Sequence, residues 1–425
     1  MVSELKDNPK EKLWTLSFLI LWQGQFVSTL GDAVYSIALG FWVLSATGST
    51  ALMGLLMATS TLPGVLVSPF AGVLIDRSNK KRLFILMDIL RGISIVFLAA
   101  AAYKGLIAVW MVFAAGIVLS VCGAVFNPGI QSIVPDLVPR SKISNANSVF
   151  STISVGSNMI GNVAGGFLYQ LLGAPALFLI DGLSFLFSGA SLPFVKIPKN
   201  RLKTKKHFFA DMAEGFRYMW NQKGLRFILA IAAVLNFFAY IGIVLFLPLF
   251  QSTPTLGAGK YGIAMACFMA GALAGFMLLS ILSAKPANNL KLYIVCDIVF
   301  EAAIIIAVNQ PSFALMLILI VLAGFSNSIV NVLLISTVQA STPQEMRGKV
   351  MSFMNMLTQG LTPFAMALGG VLGGVFPIRL VISGAFLVTF LVTIPSYFSK
   401  PFRQYITAGS GEKAMPETAA EEQSA

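Results

Sequence analysis

The chain has 425 residues, of which 57% are hydrophobic and only 11% are charged, and its formal net charge is +12. A soluble domain carries about 25% charged residues. This composition therefore excludes an ordinary water-soluble protein and indicates that lipid is the main solvent. The three cysteines, Cys122, Cys267 and Cys296, all fall inside apolar runs, and the single histidine is His207. Such a scattered set predicts no disulfide framework, no metal site and no cofactor.

Twelve apolar runs are long enough to cross a bilayer, since a spanning helix needs about 20 mostly apolar residues. In chain order they cover residues 17–44, 51–75, 83–102, 106–126, 149–171, 175–195, 227–250, 261–283, 292–308, 313–338, 350–373 and 380–397. They predict an all-α polytopic membrane protein of twelve transmembrane helices in two six-helix bundles, residues 17–195 and 227–397. A polar N-terminus (1–16), a central loop (196–226) and an acidic tail (398–425), expected to be disordered, complete the chain.

The placement of lysine and arginine predicts the orientation of these spans. With the N-terminus inside, the cytoplasmic segments hold 25 of the 29 Lys and Arg residues, as the positive-inside rule requires. The exceptions are Lys104, Lys260 and Arg379 in outer loops and Arg91 within the third span. Both termini are therefore predicted to be cytoplasmic, in the plasma or inner membrane. The positive charge is a topology signal and does not indicate nucleic-acid binding.

The two halves of the sequence repeat one another. A shift of 204 or 209 residues superposes Pro139 on Pro343, Gly165-Gly166 on Gly369-Gly370, and Asp88 on Asp297. Because each half has an even number of spans, the halves are predicted to be parallel repeats related by an axis along the membrane normal. This arrangement predicts a cavity between the halves and transport by rocking one half against the other.

The short loop after the second span carries the most informative motif, Gly72-Val-Leu-Ile-Asp76-Arg77-Ser-Asn-Lys80-Lys81-Arg82. Gly72 permits close helix approach, Asp76 is an acid at a helix end, and the basic cluster holds the loop at the cytoplasmic headgroups. The motif resembles the loop signature G-x-L-x-D-R-x-G-R-K-x of the major facilitator superfamily. Asn79 replaces the second glycine, and asparagine tolerates the left-handed conformation better than most residues.

The resemblance implies the major facilitator fold over most of the chain, and a gating role for this loop. Asp76 would hold the inside-closed state by engaging the eleventh helix or its loop, aided by Arg77 and Arg347. The alternative is that the basic cluster only anchors the topology.

A narrower set of residues is similar to the macrolide-efflux-like drug:proton antiporters, the third drug-antiporter family. These residues are Trp22-Gln-Gly24-Gln25, Gly31-Asp32, Thr47-Gly48-Ser49, Asp76-Arg77 through Asp88, Leu137-Val-Pro139 and Asn145-Ala-Asn147. The likeness implies a monomeric secondary transporter, not an enzyme, that exports a lipophilic, macrolide-like small molecule by proton antiport and alternating access. The remaining alternatives are an exporter of one metabolite, such as a siderophore or a lipid-like compound, and, less favoured, a polytopic membrane enzyme or a channel.

Glycines in the fifth and eleventh spans form a second pattern. Antiporter relatives end a glycine-rich signature in G-P-x-x-G-G, whereas this chain has Asn162 at the proline position; its repeat partner in the eleventh span does have Pro363. Small residues four apart let helix backbones approach closely. We therefore predict helix packing at Gly161, Gly165, Gly166, Gly369 and Gly370, and an antiport-specific role stays open.

Acids inside spans are the candidates for coupling, because a charge at the bilayer centre normally faces a cavity or a partner. Asp32 in the first span has no basic neighbour on its own helix and lies in a polar stripe. A carboxylate removed from water binds a proton more readily, so Asp32 is the main candidate for a proton or cationic-substrate site. The alternative is a structural acid hydrogen-bonded to its helix neighbours.

Five further charged residues lie in other spans. Asp88 and Arg91, three apart on the third helix, are predicted to pair on one face and to support the gate. Asp297 matches Asp88 by repeat, and Glu301, one turn further, is a second coupling candidate. Asp181 in the sixth span is a weaker one, which could equally lie near the outer interface.

The remaining candidates are predicted to line the cavity. They are Trp22, Gln25, Phe26, Tyr35, Asn127, Asn236 and Tyr240. Many proton antiporters of the superfamily carry an arginine in the fourth span, but residues 106–126 contain none. Coupling through such an arginine is therefore unavailable to this chain.

Overall fold

The computed structural model describes residues 13–139, 142–196, 216–281, 286–340 and 342–399. The predicted N-terminal segment, central loop and tail lie largely or wholly outside these ranges. Within them the chain is helical, and no strand occurs. The helices are α1 Leu16–Thr47, α2 Thr50–Thr59, α3 Leu62–Arg77, α4 Lys80–Tyr103, α5 Val109–Leu137, α6 Ile143–Ser191, α7 Lys223–Ile243, α8 Phe246–Ser252, α9 Ala258–Ile281, α10 Pro286–Asn309, α11 Phe313–Ala340, α12 Gln344–Val375 and α13 Ile378–Phe398.

Nine helices in the described ranges are long and apolar enough to cross a membrane. The longest, Asn145–Phe194, contains two of the predicted spans. Gly173 separates these two spans, because its backbone is non-helical (φ 73°, ψ 170°). A shorter apolar helix covers Ile378–Ile394. The prediction of a helical, multi-pass membrane protein is confirmed, while the count of twelve stays a prediction.

The helix ends explain two of the sequence motifs. At Thr47-Gly48-Ser49, Gly48 closes α1 with a left-handed backbone (φ 64°), and the Ser49 hydroxyl accepts the Leu52 amide to cap α2. Asn79, expected to tolerate a left-handed conformation, instead has φ −70°. Its side chain accepts the Arg82 amide at 3.2 Å, so Asn79 serves in this loop as the N-cap of α4.

By its contacts the chain divides into two compact units. Unit 1 comprises Met1–Thr204 and Phe250–Gly262, and unit 2 comprises Lys205–Leu249 and Ile263–Ala425. The division follows the predicted central boundary, except that residues 250–262 belong to unit 1. In unit 1, α6 packs along α1 and α4, and α3 packs on α5. In unit 2, α10 packs on α11 and α13, and α7 packs on α12 and α13.

Several of the predicted packing glycines lie where helices cross. A Cβ added at Gly161 would stand 2.3 Å from the Ala33 Cβ on α1, and one at Gly369 would stand 2.6 Å from the Ile241 carbonyl on α7. Gly165 and Gly166 are similarly crowded, and Gly370 is buried. At Gly72, by contrast, nothing in the part of the chain that the structure describes lies within 4 Å of an added Cβ. The described contacts therefore show no close helix approach at Gly72.

We expect Gly161→Ala to destabilise the protein, because its methyl group would overlap Ala33. Overpacking of this kind costs about 1–3 kcal/mol. The matched control is Gly156→Ala on the same helix, where no described atom lies within 4 Å of the new Cβ. Thermal unfolding of both variants in detergent would measure the difference. Equal melting temperatures would show that α1 and α6 do not cross closely at Gly161.

Candidate functional site

A cavity of about 930 Å³ lies within unit 1, between α1, α4, α5 and α6. Its polar lining residues are Gln25, Ser28, Thr29, Asp32, Ser36, Arg91, Asn127, Gln131, Asn147, Ser151, Ser154 and Asn158. These are twelve of the eighteen lining residues, so the wall is mainly polar. A polar cavity inside a membrane helix bundle is a site for a solute, since a lipid-facing surface would be apolar.

The wall of this cavity presents both hydrogen-bond donors and hydrogen-bond acceptors. The Asn158 amide nitrogen donates to the Ser154 carbonyl at 2.7 Å, and the Gln25 amide nitrogen contacts the Thr29 hydroxyl at 3.1 Å. Because a backbone carbonyl can only accept, the Asn158 NH₂ group must face it, which leaves the Asn158 side-chain oxygen free for another donor. The Gln25 side-chain oxygen is buried and has no hydrogen-bond partner among the described residues. The Asp32 carboxylate and the Asn158 side-chain oxygen suit a ligand that carries N–H or O–H groups.

Arg91 supplies a buried positive charge at the cavity wall. Its guanidinium pairs with Asp88 on the same helix, as its spacing predicts, and lies over the rings of Phe126 and Phe185, 4.4 Å and 4.3 Å from their centroids. Asp88 also accepts the Ser188 hydroxyl at 2.7 Å. Arg91 of the third span thus reaches Phe126 at the end of the predicted fourth span.

Two acids from different helices lie beside this ion pair. Asp32 is half-buried and lines the cavity, whereas Asp181 on α6 is fully buried. A Cβ on Gly31 would stand 2.6 Å from Asp181 Oδ1, so Asp181 packs directly against the turn of α1 that carries Asp32. The two carboxyl groups repel each other electrostatically, and both are attracted by Arg91.

The acids of unit 2 lie between α10 and α13. Asp297 and Glu301 are each only 4% exposed. Asp297 accepts the Tyr397 hydroxyl, and Glu301 Oε2 lies 2.6 Å from the Thr389 hydroxyl, which also lies 2.7 Å from the Phe386 carbonyl. The Phe386 carbonyl also accepts a backbone N–H within its own helix. The Thr389 hydroxyl can therefore donate to Glu301, which gives this buried acid a hydrogen-bond partner.

Each of the two repeats contains an equivalent hydrogen bond to a buried acid. Ser188 donates to Asp88 in unit 1, and Tyr397 donates to Asp297 in unit 2; each pair is separated by 100 residues. The shift of 209 residues that relates the two acids also relates Ser188 to Tyr397. The same shift places Phe300 at the position of Arg91. Unit 2 therefore conserves the acid and its hydroxyl donor but has no cation at the equivalent position.

Only some of the residues that were predicted to line a cavity line the cavity of unit 1. Gln25 and Asn127 line the unit 1 cavity. Trp22 and Phe26 stack on each other with centroids 5.9 Å apart, and Tyr35 is buried against Phe178; none of the three lines that cavity. In unit 2, Asn236 donates to the Thr358 carbonyl at 2.9 Å, and Tyr240 packs against the cluster of Ile241, Ala365 and Ala385. The predicted fourth span ends at residue 126, but its helix, α5, continues past Asn127 to Leu137.

The loop motif is only partly described. The side chains of Asp76 and Arg77 lie outside what the structure describes, so their predicted gating contacts stay predictions. Lys81 donates to the Pro193 carbonyl, which ties the start of α4 to the end of the sixth span. Lys80 is half-buried and Arg82 is exposed. Arg347 is exposed and contacts the Thr342 carbonyl at 3.5 Å.

Sequence reasoning missed the hydroxyl groups that serve the buried acids. These groups are Ser184, Ser188, Thr389, Thr393 and Tyr397. A signal was present, because Ser184 and Ser188, like Thr389, Thr393 and Tyr397, recur every four residues and so share one face of a helix. In a long apolar span such a stripe indicates the face that meets a polar partner.

Comparisons with known proteins agree with this architecture. The family model described as Major Facilitator Superfamily matches residues 21–360 and 255–417. The chain is 25% identical over 388 residues to "Macrolide efflux protein A" of Streptococcus pyogenes, covering 88% of this chain and 93% of the relative. It is 23% identical over 355 residues to "Multidrug efflux pump Tap" of Mycolicibacterium fortuitum, covering 80% and 85%.

A solved structure shows the same fold. The crystal structure of the POT family transporter PepTSo superposes with a TM-score of 0.71 at 11% identity, covering 94% of this chain and 99% of that one. Taken together, a helical multi-pass fold and a polar cavity between its helices define a membrane transporter of small molecules. The chain belongs to the Major Facilitator Superfamily.

Proposed function

We propose that this protein exports a small molecule across the cell membrane by proton antiport and alternating access. The unit 1 cavity is the observation that carries the proposal, because it places a carboxylate, Asp32, and a buried guanidinium, Arg91, on a wall that a solute can reach. The sequence similarity to proteins named for macrolide and multidrug efflux supports export rather than uptake.

The polar wall refines the chemistry of the substrate. A large apolar content favoured a lipophilic substrate, but most of the unit 1 lining is polar. The proposed substrate is therefore a lipophilic molecule that also carries a cationic amine or several hydroxyl groups. Its donors would meet Asp32 and Asn158, and its apolar part would contact Ile130, Phe150 and Val155.

The other parts of the proposed mechanism are those that the sequence predicts. The proposal includes two six-helix bundles, residues 17–195 and 227–397, in a monomer with both termini in the cytoplasm. The loop from Gly72 to Arg82 acts as the inner gate through Asp76. Glu301 is the second proton-binding candidate, and its burial away from any cation on its own helix supports that role.

An exporter of a single metabolite is the second candidate. The many polar side chains of the wall favour it, because a substrate that hydrogen-bonds to several fixed groups is selected more strictly than one held by apolar contact. A broad panel of lipophilic cations separates the two candidates: similar export of many members supports multidrug transport, and export of none supports a single metabolite.

The proposed function is tested with purified protein in proteoliposomes. We expect an imposed pH gradient to drive macrolide transport, and the macrolide in turn to move protons, which a pH-sensitive dye inside the vesicles reports. The control is the same vesicle without protein. Macrolide flux that does not saturate and does not respond to the gradient would indicate a channel and contradict the proposal.

A further inference from the structure

We propose that the surface formed by Phe216, Arg217, Trp220 and Arg226 binds the headgroup of an anionic phospholipid. This surface, the anchor patch, lies in unit 2 at the N-terminal end of α7. None of its residues lines the unit 1 cavity. The anchor patch is therefore independent of the exported substrate and of proton antiport.

The short helical segment that precedes α7, residues 216–221, has a buried side and an exposed side. Met219 is 3% exposed and packs in the same buried cluster of unit 2 as Leu225 of α7. Phe216 and Trp220, four residues apart and so on one face of the helical turn, are 44% and 57% exposed. Arg217 beside them is exposed as well. The buried side fixes the segment on the protein, and the aromatic side is left for a partner.

The aromatic rings of the anchor patch hold one of its two arginines in place. The Phe216 ring lies 5.4 Å from the Trp220 ring and 5.5 Å from the Phe353 ring of α12, measured between centroids. The Arg226 guanidinium lies over Trp220, 5.2 Å from the ring centroid, and donates to the Trp220 carbonyl at 3.4 Å. Arg226 is otherwise exposed. A planar guanidinium stacked in this way presents its remaining N–H groups to a phosphate, which it can bind through two parallel hydrogen bonds.

The anchor patch lies next to the start of a membrane span. The span that includes α7 begins at Gly224, so residues 216–223 lie just outside it, on the side that the sequence predicts to be cytoplasmic. Tryptophan is enriched at the level of the lipid headgroups. Its ring is apolar and its N–H group is polar, so both environments of the interface suit it.

The charge of the region selects an anionic lipid. Residues 196–226 contain nine lysines and arginines but only two acidic residues. In the part of the chain that the structure describes, the one ion pair is that of Arg91 with Asp88, so no described acid neutralises Arg217 or Arg226. Basic clusters next to a span attract anionic lipid headgroups. A zwitterionic headgroup would gain much less from the same charges.

A phospholipid matches both parts of the anchor patch. Its phosphate would meet the guanidinium groups of Arg217 and Arg226, and its glycerol and first methylene groups would cover the rings of Phe216 and Trp220. A free phosphate would use only the arginines and would leave two large rings in water. A soluble acidic partner would have to displace the lipid surface that adjoins the span.

Native mass spectrometry of the purified full-length protein tests the anchor patch, with phosphatidylglycerol and phosphatidylcholine of identical acyl chains as the probes. We expect the wild type to bind phosphatidylglycerol more tightly. Arg217→Gln combined with Arg226→Gln should weaken that binding by roughly thirty-fold, since each basic residue near an anionic surface contributes about 1 kcal/mol. Binding of phosphatidylcholine should stay the same. A wild type without preference between the two lipids would overturn the proposal.

The matched control is Lys104→Gln combined with Arg379→Gln, which removes the same charge from two loops that the sequence predicts to lie on the opposite side of the membrane. We expect this variant to bind phosphatidylglycerol like the wild type. Equal weakening by the control would show attraction to the net charge of the protein and would contradict a specific site. Arg217→Lys combined with Arg226→Lys keeps the charge and should keep the preference for phosphatidylglycerol.

The fluorescence of Trp220 tests whether the aromatic side of the anchor patch meets lipid. The difference between the wild type and Trp220→Phe, both in phosphatidylglycerol vesicles, isolates the emission of this residue. We expect brominated phosphatidylglycerol to quench that emission strongly and acrylamide in the buffer to quench it weakly. Strong quenching by acrylamide without quenching by the brominated lipid would place the anchor patch in water, where a soluble partner would reach it, and would overturn the proposal.

Discussion

Replacing Asp32 with asparagine reduces proton-driven export to the level of protein-free vesicles. Asparagine has nearly the shape of aspartate but neither a charge nor an exchangeable proton at this position. Asp32 is the one carboxylate among the residues described as lining the unit 1 cavity, so its loss removes both the attraction for a cationic substrate and the path of the proton. The initial rate of macrolide export under an imposed pH gradient measures the effect.

The control for this variant is the same chemical change at Asp136, a partly exposed acid of α5 that does not line the cavity. We expect Asp136→Asn to export at the wild-type rate. Wild-type, pH-dependent export by the Asp32 variant would remove Asp32 from the mechanism. The remaining coupling candidates would then be Glu301, Asp297 and Asp181.

Replacing Arg91 with glutamine destabilises the protein more than any other single change considered above. The variant leaves Asp88, which is 0% exposed, without its cation, and breaking a buried ion pair from one side costs about 3–5 kcal/mol. It also removes the cation that lies between the rings of Phe126 and Phe185. Thermal unfolding in detergent, followed by intrinsic fluorescence, measures the loss.

A second substitution tests the physical cause. Adding Asp88→Asn to the Arg91→Gln variant removes the unpaired charge, and the Ser188 hydroxyl can still donate to the new side-chain oxygen. We expect the double variant to recover most of the lost stability, so the two effects are strongly non-additive. If it were as unstable as Arg91→Gln alone, the packing of Arg91 between the two rings, and not its charge, would be the stabilising feature.

The sequence by itself determined that lipid surrounds the chain, that the chain is a helical protein of this superfamily, and that its two halves repeat. A chain with so few charges can satisfy its backbone in lipid only as helices or as a closed barrel, and runs of about 20 apolar residues select helices. The loop motif from Gly72 to Arg82 identified the superfamily, and the family model confirmed it. The shift that relates Asp88 to Asp297 was also readable, and the hydrogen bonds from Ser188 and Tyr397 support it.

Only the tertiary structure decided which charged groups meet. Asp32, Arg91 and Asp181 come from three helices, and no local spacing links them. Hydrophobic periodicity orients a soluble helix because one face is polar, but a membrane helix is apolar both toward lipid and toward its neighbours. The sequence therefore could not show that Trp22 and Tyr35 are not among the residues that line the unit 1 cavity, or that Arg91 lies beside Phe126. Those facts depend on the rotation of each helix about its own axis, which close contacts such as that of Gly161 with Ala33 fix.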